Sequence, residues 1–321
     1  MRPTHLVTLL VLLAVLLALA LPAAPAHAGG IVSICDEAHL LVALAGGGTM
    51  TFSCSGTITL TATITIATDT NIDGSGQTVT ISGWNPTLGT MRVFTVNAGI
   101  ALGVNALTVA DGGSFDNAGG ILNSGTLIVS NSTFSGNNAF GNGGAIYNDG
   151  TLTVSNSTFS GNSTGAYDAS GGAIFNSGTL TVSNSTFSGN SARTGGGISN
   201  YGTGTLKNTI IANSPSGGNC YGAIADGGGN LSYPDTTCPG TNSDPMLGPL
   251  QNNLGPTYTM ALGPGSAAID AANDAICAAP PVNNRDQRGI ARPQGLHCDI
   301  GAFEATLQPM TRRAFLPIIM R

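Results

Sequence analysis

The sequence predicts an all-β fold: one parallel β-helix, a solenoid, closed at its start by a short capping helix. Three observations carry this. The stretch Gly143–Asn162, GGAIYNDGTLTVSNSTFSGN, returns as GGAIFNSGTLTVSNSTFSGN at Gly171–Asn190, with weaker copies at Gly119–Asn137 and Gly196–Ser214. Within a copy, Thr151 to Ser155 alternates polar and apolar, as a strand does, and the turn dipeptides Asp149-Gly150 and Ser177-Gly178 stand just before such a run. No segment between Gly112 and Ser214 shows a 3.6-residue apolar period. Only 8% of residues are charged against 47 glycines, a composition that suits stacked Thr/Ser/Asn/Gly coils and argues against a helical domain.

Two asparagine columns set the period. Asn123, Asn148, Asn176 and Asn200 are separated by 25, 28 and 24 residues, and Asn131, Asn156, Asn184 and Asn208 by the same three intervals. A repeat of this length built from short strands fits one coil of a β-helix better than a propeller blade of ~40–45 residues. Coils ~4.8 Å apart place identical side chains directly over one another. Leu152, Val154 and Phe159 are expected to point inward, with Ile146 on another wall; Leu180, Val182, Phe187 and Ile174 are their equivalents. Asn156 is expected at an inward turn, bonded to the asparagines above and below, since such a ladder satisfies buried amides coil by coil. Surface positions or metal ligands are the alternatives for these columns. Gly143-Gly144 and Gly171-Gly172 supply the backbone freedom of a tight corner.

Taken in order, residues 1–28 read as a secretion signal. Arg2 is the charged start, Leu6 to Ala20 the apolar run, and Ala26-His27-Ala28 the cleavage site. A retained anchor is the alternative, but the run is short for a span and is followed by Pro22 and Pro25. Residues 29–111 hold the cap and first coils. Asp36 caps a helix over DEAHLLVALA, with Leu40, Leu41 and Leu44 at helical spacing and Gly46-Gly47-Gly48 as its stop. It is expected to cover the open end of the first coil, which would otherwise present a bare strand edge. Thr57–Ile66 alternates threonine with apolar residues. A flat threonine face can order water, which raises ice binding, but solvent-facing β-branched residues account for it more simply. Asp69–Gly74 matches half of a calcium loop; the twelfth position is Thr80, where a bidentate carboxylate is needed, so a strand and an Asp-Gly turn are expected. Val93–Ala110 reads as a further degenerate coil.

Residues 112–214 are the tandem repeats and 215–304 irregular C-terminal coils punctuated by Pro245, Pro249, Pro256 and Pro264. Asp286-Gln287-Arg288, Arg292, Asp299 and Glu304 read as an ion-paired closing turn, with a functional site as the alternative. The tail, 305–321, is basic and apolar and too short to span a bilayer; it reads as a processing or surface-retention signal, or a final strand.

Six cysteines in a secreted chain suggest three disulfides, and their sequence order favours the local pairs Cys35–Cys54, Cys220–Cys238 and Cys277–Cys298. A zinc site is disfavoured: there is no CxxC, and only His39 and His297 follow the signal. With a net charge of −6 and a single lysine, the chain has no electrostatic footprint for nucleic acid. No cofactor, metal or transmembrane span after signal cleavage is expected.

The GGAI motifs at Gly143–Ile146 and Gly171–Ile174, with FxxN at Phe134–Asn137, Phe159–Asn162 and Phe187–Asn190, resemble the repeats of polymorphic outer membrane proteins. That resemblance implies a right-handed β-helix with a role in adhesion. The segment Asp244–Glu304 looks like the choice-of-anchor Q module, through Pro264-Gly265-Ser266-Ala267-Ala268-Ile269-Asp270, Asp286-Gln287-Arg288-Gly289, Arg292-Pro293 and Cys298-Asp299-Ile300-Gly301-Ala302-Phe303-Glu304. It implies a bacterial surface or secreted protein. No barrel follows Glu304, so self-transport is not expected, and there is no LPxTG motif.

Two functions compete. One is a non-catalytic secreted or surface β-helix that meets extracellular glycans or cell-envelope components through weak, multivalent polar contacts. The other is a lyase or hydrolase on the pectin-lyase-like fold, which fold alone does not license. Such enzymes need a base with calcium-binding acids, or paired carboxylates. Between Gly112 and Ser214 the only charged residues are Asp116, Asp149, Asp168, Arg193 and Lys207, and no two of these aspartates occupy equivalent places in adjacent copies. A site joining distant loops, such as Asp226 with Asp244, stays open. The first reading is favoured, with no catalytic, cofactor or metal residue assigned.

Overall fold

The computed structural model describes residues 29–306. The predicted signal, 1–28, and residues 307–321 of the predicted tail lie outside the described residues. The chain winds into a right-handed parallel β-helix of about 7 turns. Each tandem copy is one coil with three walls. In the best-conserved copy these are Ile146–Asn148, Thr151–Ser155 and Thr158–Ser160. Stacked through the molecule, the first wall has seven strands and the other two have nine each.

The register is the one the period demands. Ile146 lies over Ile174, Leu152 over Leu180, Val154 over Val182 and Phe159 over Phe187, and all eight are buried in one continuous core. The rings of Phe134, Phe159 and Phe187 stack at 4.8 and 4.6 Å, within 7° and 3° of parallel. The spacing of the rings is the spacing of the strands. Gly143, Gly171 and Gly195 sit at φ of 72°, 73° and 61°, a left-handed conformation that a side chain resists.

The corners depart from expectation in an instructive way. Asn123, Asn148, Asn176 and Asn200 do form a ladder between the first and second walls: each of the first three donates Nδ2 to Oδ1 of the next at 2.6 Å. Asn131, Asn156, Asn184 and Asn208, at the second corner, do not continue one: the column holds a single long contact, Asn156 Nδ2 to Asn131 Oδ1 at 3.4 Å. All four have left-handed φ, from 44° to 51°, which turns their side chains away from the interior. The inward place goes to the following serine: Ser157 Oγ donates to Ser155 O at 2.7 Å and accepts Ser132 N–H at 3.2 Å. A second asparagine ladder stands instead on the FxxN residues, where Asn137 Nδ2 donates to Asn162 Oδ1 and Asn162 Nδ2 to Asn190 Oδ1, both at 2.9 Å.

The predicted cap is a helix at Glu37–Leu44, with the Asp36 side chain accepting His39 N–H. Leu40 and Ala43 enter the core, while Leu41, expected on the apolar face, is 47% exposed. The helix lies across the coil end on a narrow stripe, and Glu37 anchors it by accepting from Thr61 N and Oγ1. Cys35–Cys54 ties it to the first coil; Cys220–Cys238 and Cys277–Cys298 are the other disulfides.

Thr57–Ile66 does not make a single threonine face. The run breaks after Thr59 and resumes at Ile64 on another wall. Thr70–Asp73 is a strand, and Asp73 Oδ1 closes the turn after it by accepting from Ser75 N–H and Oγ–H. Phe94–Val96, Ala101–Asn105 and Thr108–Ala110 form one coil.

Coils continue through Leu231–Tyr233 and Thr241–Asn242. Past that point the chain does not add further coils. It doubles back through an antiparallel hairpin, Leu247–Gln251 with Thr259–Leu262, and a short helix, Asp274–Ala278. The returning segment lies lengthwise on the outside of the third wall. Thr133 Oγ1 donates to Tyr258 O at 2.6 Å, Thr158 Oγ1 to Gln287 Oε1 at 2.6 Å, and Ala302 N to Thr186 Oγ1 at 3.0 Å. Thr133, Thr158 and Thr186 stand over one another in successive coils, so one column of outward threonines is buried beneath the C-terminal segment.

Candidate binding surfaces

The charged residues of the C-terminal segment form a closed network. Arg288 Nη2 lies 2.6 Å from Asp286 Oδ2, and its guanidinium sits 3.6 Å over the Phe303 ring. Arg292, buried, donates Nη1 to Asp299 O and Nη2 to Gly301 O at 2.8 Å each, with Nε 3.9 Å from Glu304. Glu304 accepts from Gln294 N and Asp299 N; Asp299 accepts from Asp270 N and Ala305 N. Burial pushes the Glu304 carboxyl up to about 7 and raises Asp299 as well. Two buried carboxylates share one guanidinium there, so one proton is retained readily. Every carboxylate oxygen in this network is already engaged, which leaves none to meet a substrate. The ion-paired reading holds, but the cluster braces the C-terminal segment internally, while Tyr258, Gln287 and Ala302 fasten that segment to the flank of the coils.

Two open surfaces stand out among the described residues. The first is a groove of about 820 Å³ along the seam between the second corner and the returning segment, with Gln77, Asn131, Asn156, Asn252, Asn283 and Arg285 in its lining. Asn156 is 2% exposed. Its Nδ2 donates to Arg285 O at 3.0 Å and to Asn131 Oδ1 at 3.4 Å, while its Oδ1, like that of Asn184, has no hydrogen-bond partner among the described residues. Further along the same column, Asn184 and Asn208 instead direct Nδ2 at the Cys277 sulfur.

The second surface is an aromatic row along the first wall and its corner: Tyr147, Phe175 and Tyr221 hold equivalent wall places, Ser199 takes that place in the intervening coil, and Tyr201 stands just past the strand. Tyr147, Phe175, Tyr201 and Tyr221 follow one another at centroid distances of 5.0, 5.3 and 5.6 Å. Tyr147 and Phe175 lie within 9° of parallel and cover each other's faces. The next two steps tilt by 31° and 44°, and Tyr201 and Tyr221 are 60% and 45% exposed. These two rings are the more exposed members of the row.

The repeats match a known family model. Residues 131–149 and 156–177 match the Chlamydia polymorphic membrane protein repeat. No curated protein and no solved structure matches the chain. The chain is thus a β-helix with repeats of the polymorphic membrane protein type. That match and the three disulfides point to a surface-exposed, extracellular protein of bacterial kind. No helix among the described residues is long and apolar enough to cross a membrane.

The acids considered from the sequence serve local structure. Asp149 accepts from Ser177 Oγ. Asp226 accepts from Gly228 N and Asn230 Nδ2, and Asp244 from Met246 N; each closes its own turn. Asp69 accepts Ala101 N–H. Asp116 and Asp168 are exposed in the segments between copies. Among the described residues no three His, Cys, Asp or Glu side chains are grouped to hold a metal ion. The aromatic row is the feature the sequence reading passed over, although its signal is present: the residue after the wall isoleucine is Tyr147 in one copy and Phe175 in the next.

Proposed function

We propose that this is a secreted, non-catalytic β-helix that holds extracellular polysaccharide or matrix at the bacterial surface. The observation that carries the reading is the aromatic row, because exposed tyrosine faces pack well against the C–H faces of sugar rings while their hydroxyls meet sugar hydroxyls. A rigid scaffold repeats that contact at coil spacing, so weak contacts add. The signal reading of 1–28, the pectin-lyase-like fold and the choice-of-anchor Q likeness of 244–304 belong to the same proposal. The disulfides support the compartment, and the fully engaged acid network supports a binding rather than a catalytic role.

The test is retention of purified protein on insoluble polysaccharides, with Tyr201→Ala/Tyr221→Ala beside the parent. Retention that drops about tenfold or more in the double variant supports the reading. Equal retention of both, or none by either, overturns it. New reducing ends or unsaturated sugars released from the polymer would replace it with the lyase or hydrolase alternative.

A further inference from the structure

We infer that the uncovered start of the third wall is a docking groove for an extended polypeptide segment of a partner protein, whose backbone lies on Thr57, Thr80 and Thr108 and whose basic side chain is received by Asp111 and Trp84. The aromatic row of the first wall plays no part in it.

The returning segment supplies the template. The outward threonines of this wall form one column in register: Thr57, Thr80, Thr108, Thr133, Thr158 and Thr186. The chain's own C-terminal segment covers the last three. Thr133 donates to Tyr258 O, Thr158 donates to Gln287 Oε1, and Thr186 accepts Ala302 N–H. Two of these three partners are backbone groups, so the column already holds a polypeptide laid lengthwise. The first three threonines continue the same column without that cover. Thr57 is exposed, and Thr80 and Thr108 are half-buried. They line a groove of about 330 Å³ that Leu250 and Tyr258 of the hairpin bound on one side. At coil spacing they span ~10 Å, about three residues of extended chain. A hydroxyl both donates and accepts, so each can meet a backbone C=O or N–H as its covered equivalents do. A saccharide would also meet hydroxyls, but it is polypeptide that this column carries three coils further on.

Charge identifies the segment. The groove runs on, along the strands, into a second hollow of about 430 Å³: Ala110 and Ser135 line the first, and the residues that follow them, Asp111 and Gly136, line the second. Asp111 has a left-handed φ of 53°, at a place where the tandem copies put Gly136, Gly161 and Gly189. Its Oδ1 lies over Gly136, where a Cβ would stand only 2.8 Å away. Among the described residues no salt bridge reaches this carboxylate. Arg92 is spent on Ala118 O and Asn117 O. Across the same hollow stands Trp84, the chain's single tryptophan, 51% exposed. It is carried there by a hairpin, Trp84–Asn85 with Gly89–Thr90. An unpaired carboxylate beside an indole face suits a guanidinium or ammonium group, through a charge-assisted hydrogen bond and a cation–π contact. Asp111 lies three residues along the strand from Thr108, ~10 Å, a separation that a long basic side chain leaving a backbone on the threonines can bridge.

The experiment is titration of the intact protein with short capped peptides of alternating threonine and alanine that carry arginine, glutamine or glutamate at the centre. Binding is read by calorimetry and by the fluorescence of Trp84. The arginine peptide is expected to bind at least about tenfold tighter than the glutamine peptide, and the glutamate peptide weakest. Asp111→Asn should erase the preference for arginine and leave the glutamine peptide unchanged. The fold accepts that change, since Asn213 holds the equivalent place at φ 58°. Thr80→Val/Thr108→Val, which keeps side-chain shape, should weaken all three peptides at least about fivefold. Thr153→Val, an outward threonine of the second wall, should weaken none. Equal affinity for the arginine and glutamate peptides, no effect of either groove variant, or no binding of any peptide overturns the assignment. Three further outcomes overturn it by naming another occupant. Tighter peptide binding by Arg312→Gln/Arg313→Gln gives the groove to the chain's own tail. A dimer in sedimentation that Thr80→Val/Thr108→Val breaks gives it to a second copy. Cellotriose bound as tightly as the arginine peptide gives it to a neutral sugar.

Discussion

Asn148 donates its side-chain amide to Asn176 Oδ1 at 2.6 Å, and the same nitrogen reaches Gly150 O and Thr179 O at 3.2 and 3.1 Å. Its own Oδ1 accepts from Asn123. Replacing it strands donors and acceptors in two neighbouring coils. Asn148→Leu is expected to cost about 3 kcal/mol or more, read from the denaturant midpoint. Asn156→Gly, at the outward corner, should stay within about 1 kcal/mol, since glycine accepts the left-handed backbone. Equal losses at the two positions would contradict the assignment of only one of them to a ladder.

The interior and exterior aromatic rows should respond differently. Phe159 is fully buried between Phe134 and Phe187. Phe159→Ala should cost about 3–5 kcal/mol. Tyr201→Ala should change stability by less than about 1 kcal/mol. Thermal melts of the two variants check this, and a Tyr201→Ala melt as low as that of Phe159→Ala would show that the outer row is part of the scaffold.

The disulfide Cys35–Cys54 closes a loop over a sequence separation of 19 residues. Removing it with paired serines is expected to release about 3 kcal/mol of constraint. In a solenoid, each coil touches only its neighbours, so the loss should be local. Hydrogen exchange should accelerate over Ile31–Phe52 and leave Ile146–Ser188 protected. Uniform acceleration along the chain would show instead that the cap and coils unfold as one unit.

Glu304 gives a pH dependence with a definite sign. Its folded pKa is about 7 against an ordinary value of 4.5, so between those pH values the folded state holds more protons than the unfolded one. The corresponding stabilisation is complete below 4.5 and is lost as pH rises through about 7. Glu304→Gln should remove this component. The difference between parent and variant in urea midpoint should change across that window and be flat outside it. A parent that instead gained stability relative to the variant as pH rose would show Glu304 ionised in the fold.

The walls were legible in the sequence because burial repeats with the period: Leu152, Val154 and Phe159 recur at the same places and must face the same way. The corners were less legible. Asn148 and Asn156 recur equally well, but only backbone conformation decides which points inward, and the left-handed φ of Asn156 hands the interior to Ser157. The return of the C-terminal segment was not readable at all. Gln287 meets Thr158 across 129 residues, and neither residue belongs to a pattern that names the other. The candidate site followed suit. Arg285 and Asn156 face one groove only because of that return, whereas Tyr147 and Phe175 stood in plain view in the aligned copies.

The segment laid along the third wall has a consequence for how this protein can change over generations. Solenoids ordinarily gain and lose copies freely, since each new coil needs only the one beneath it. Here a single strap of fixed length is fastened at Thr133, Thr158 and Thr186, and it acts as a ruler. Deleting residues 143–170 would bring the flanking copies together in register, yet it would leave the strap one coil too long. The shortened chain should melt well below the parent even though every coil interface is intact. Repeat number in this molecule is therefore counted by a part of the chain that is not itself a repeat.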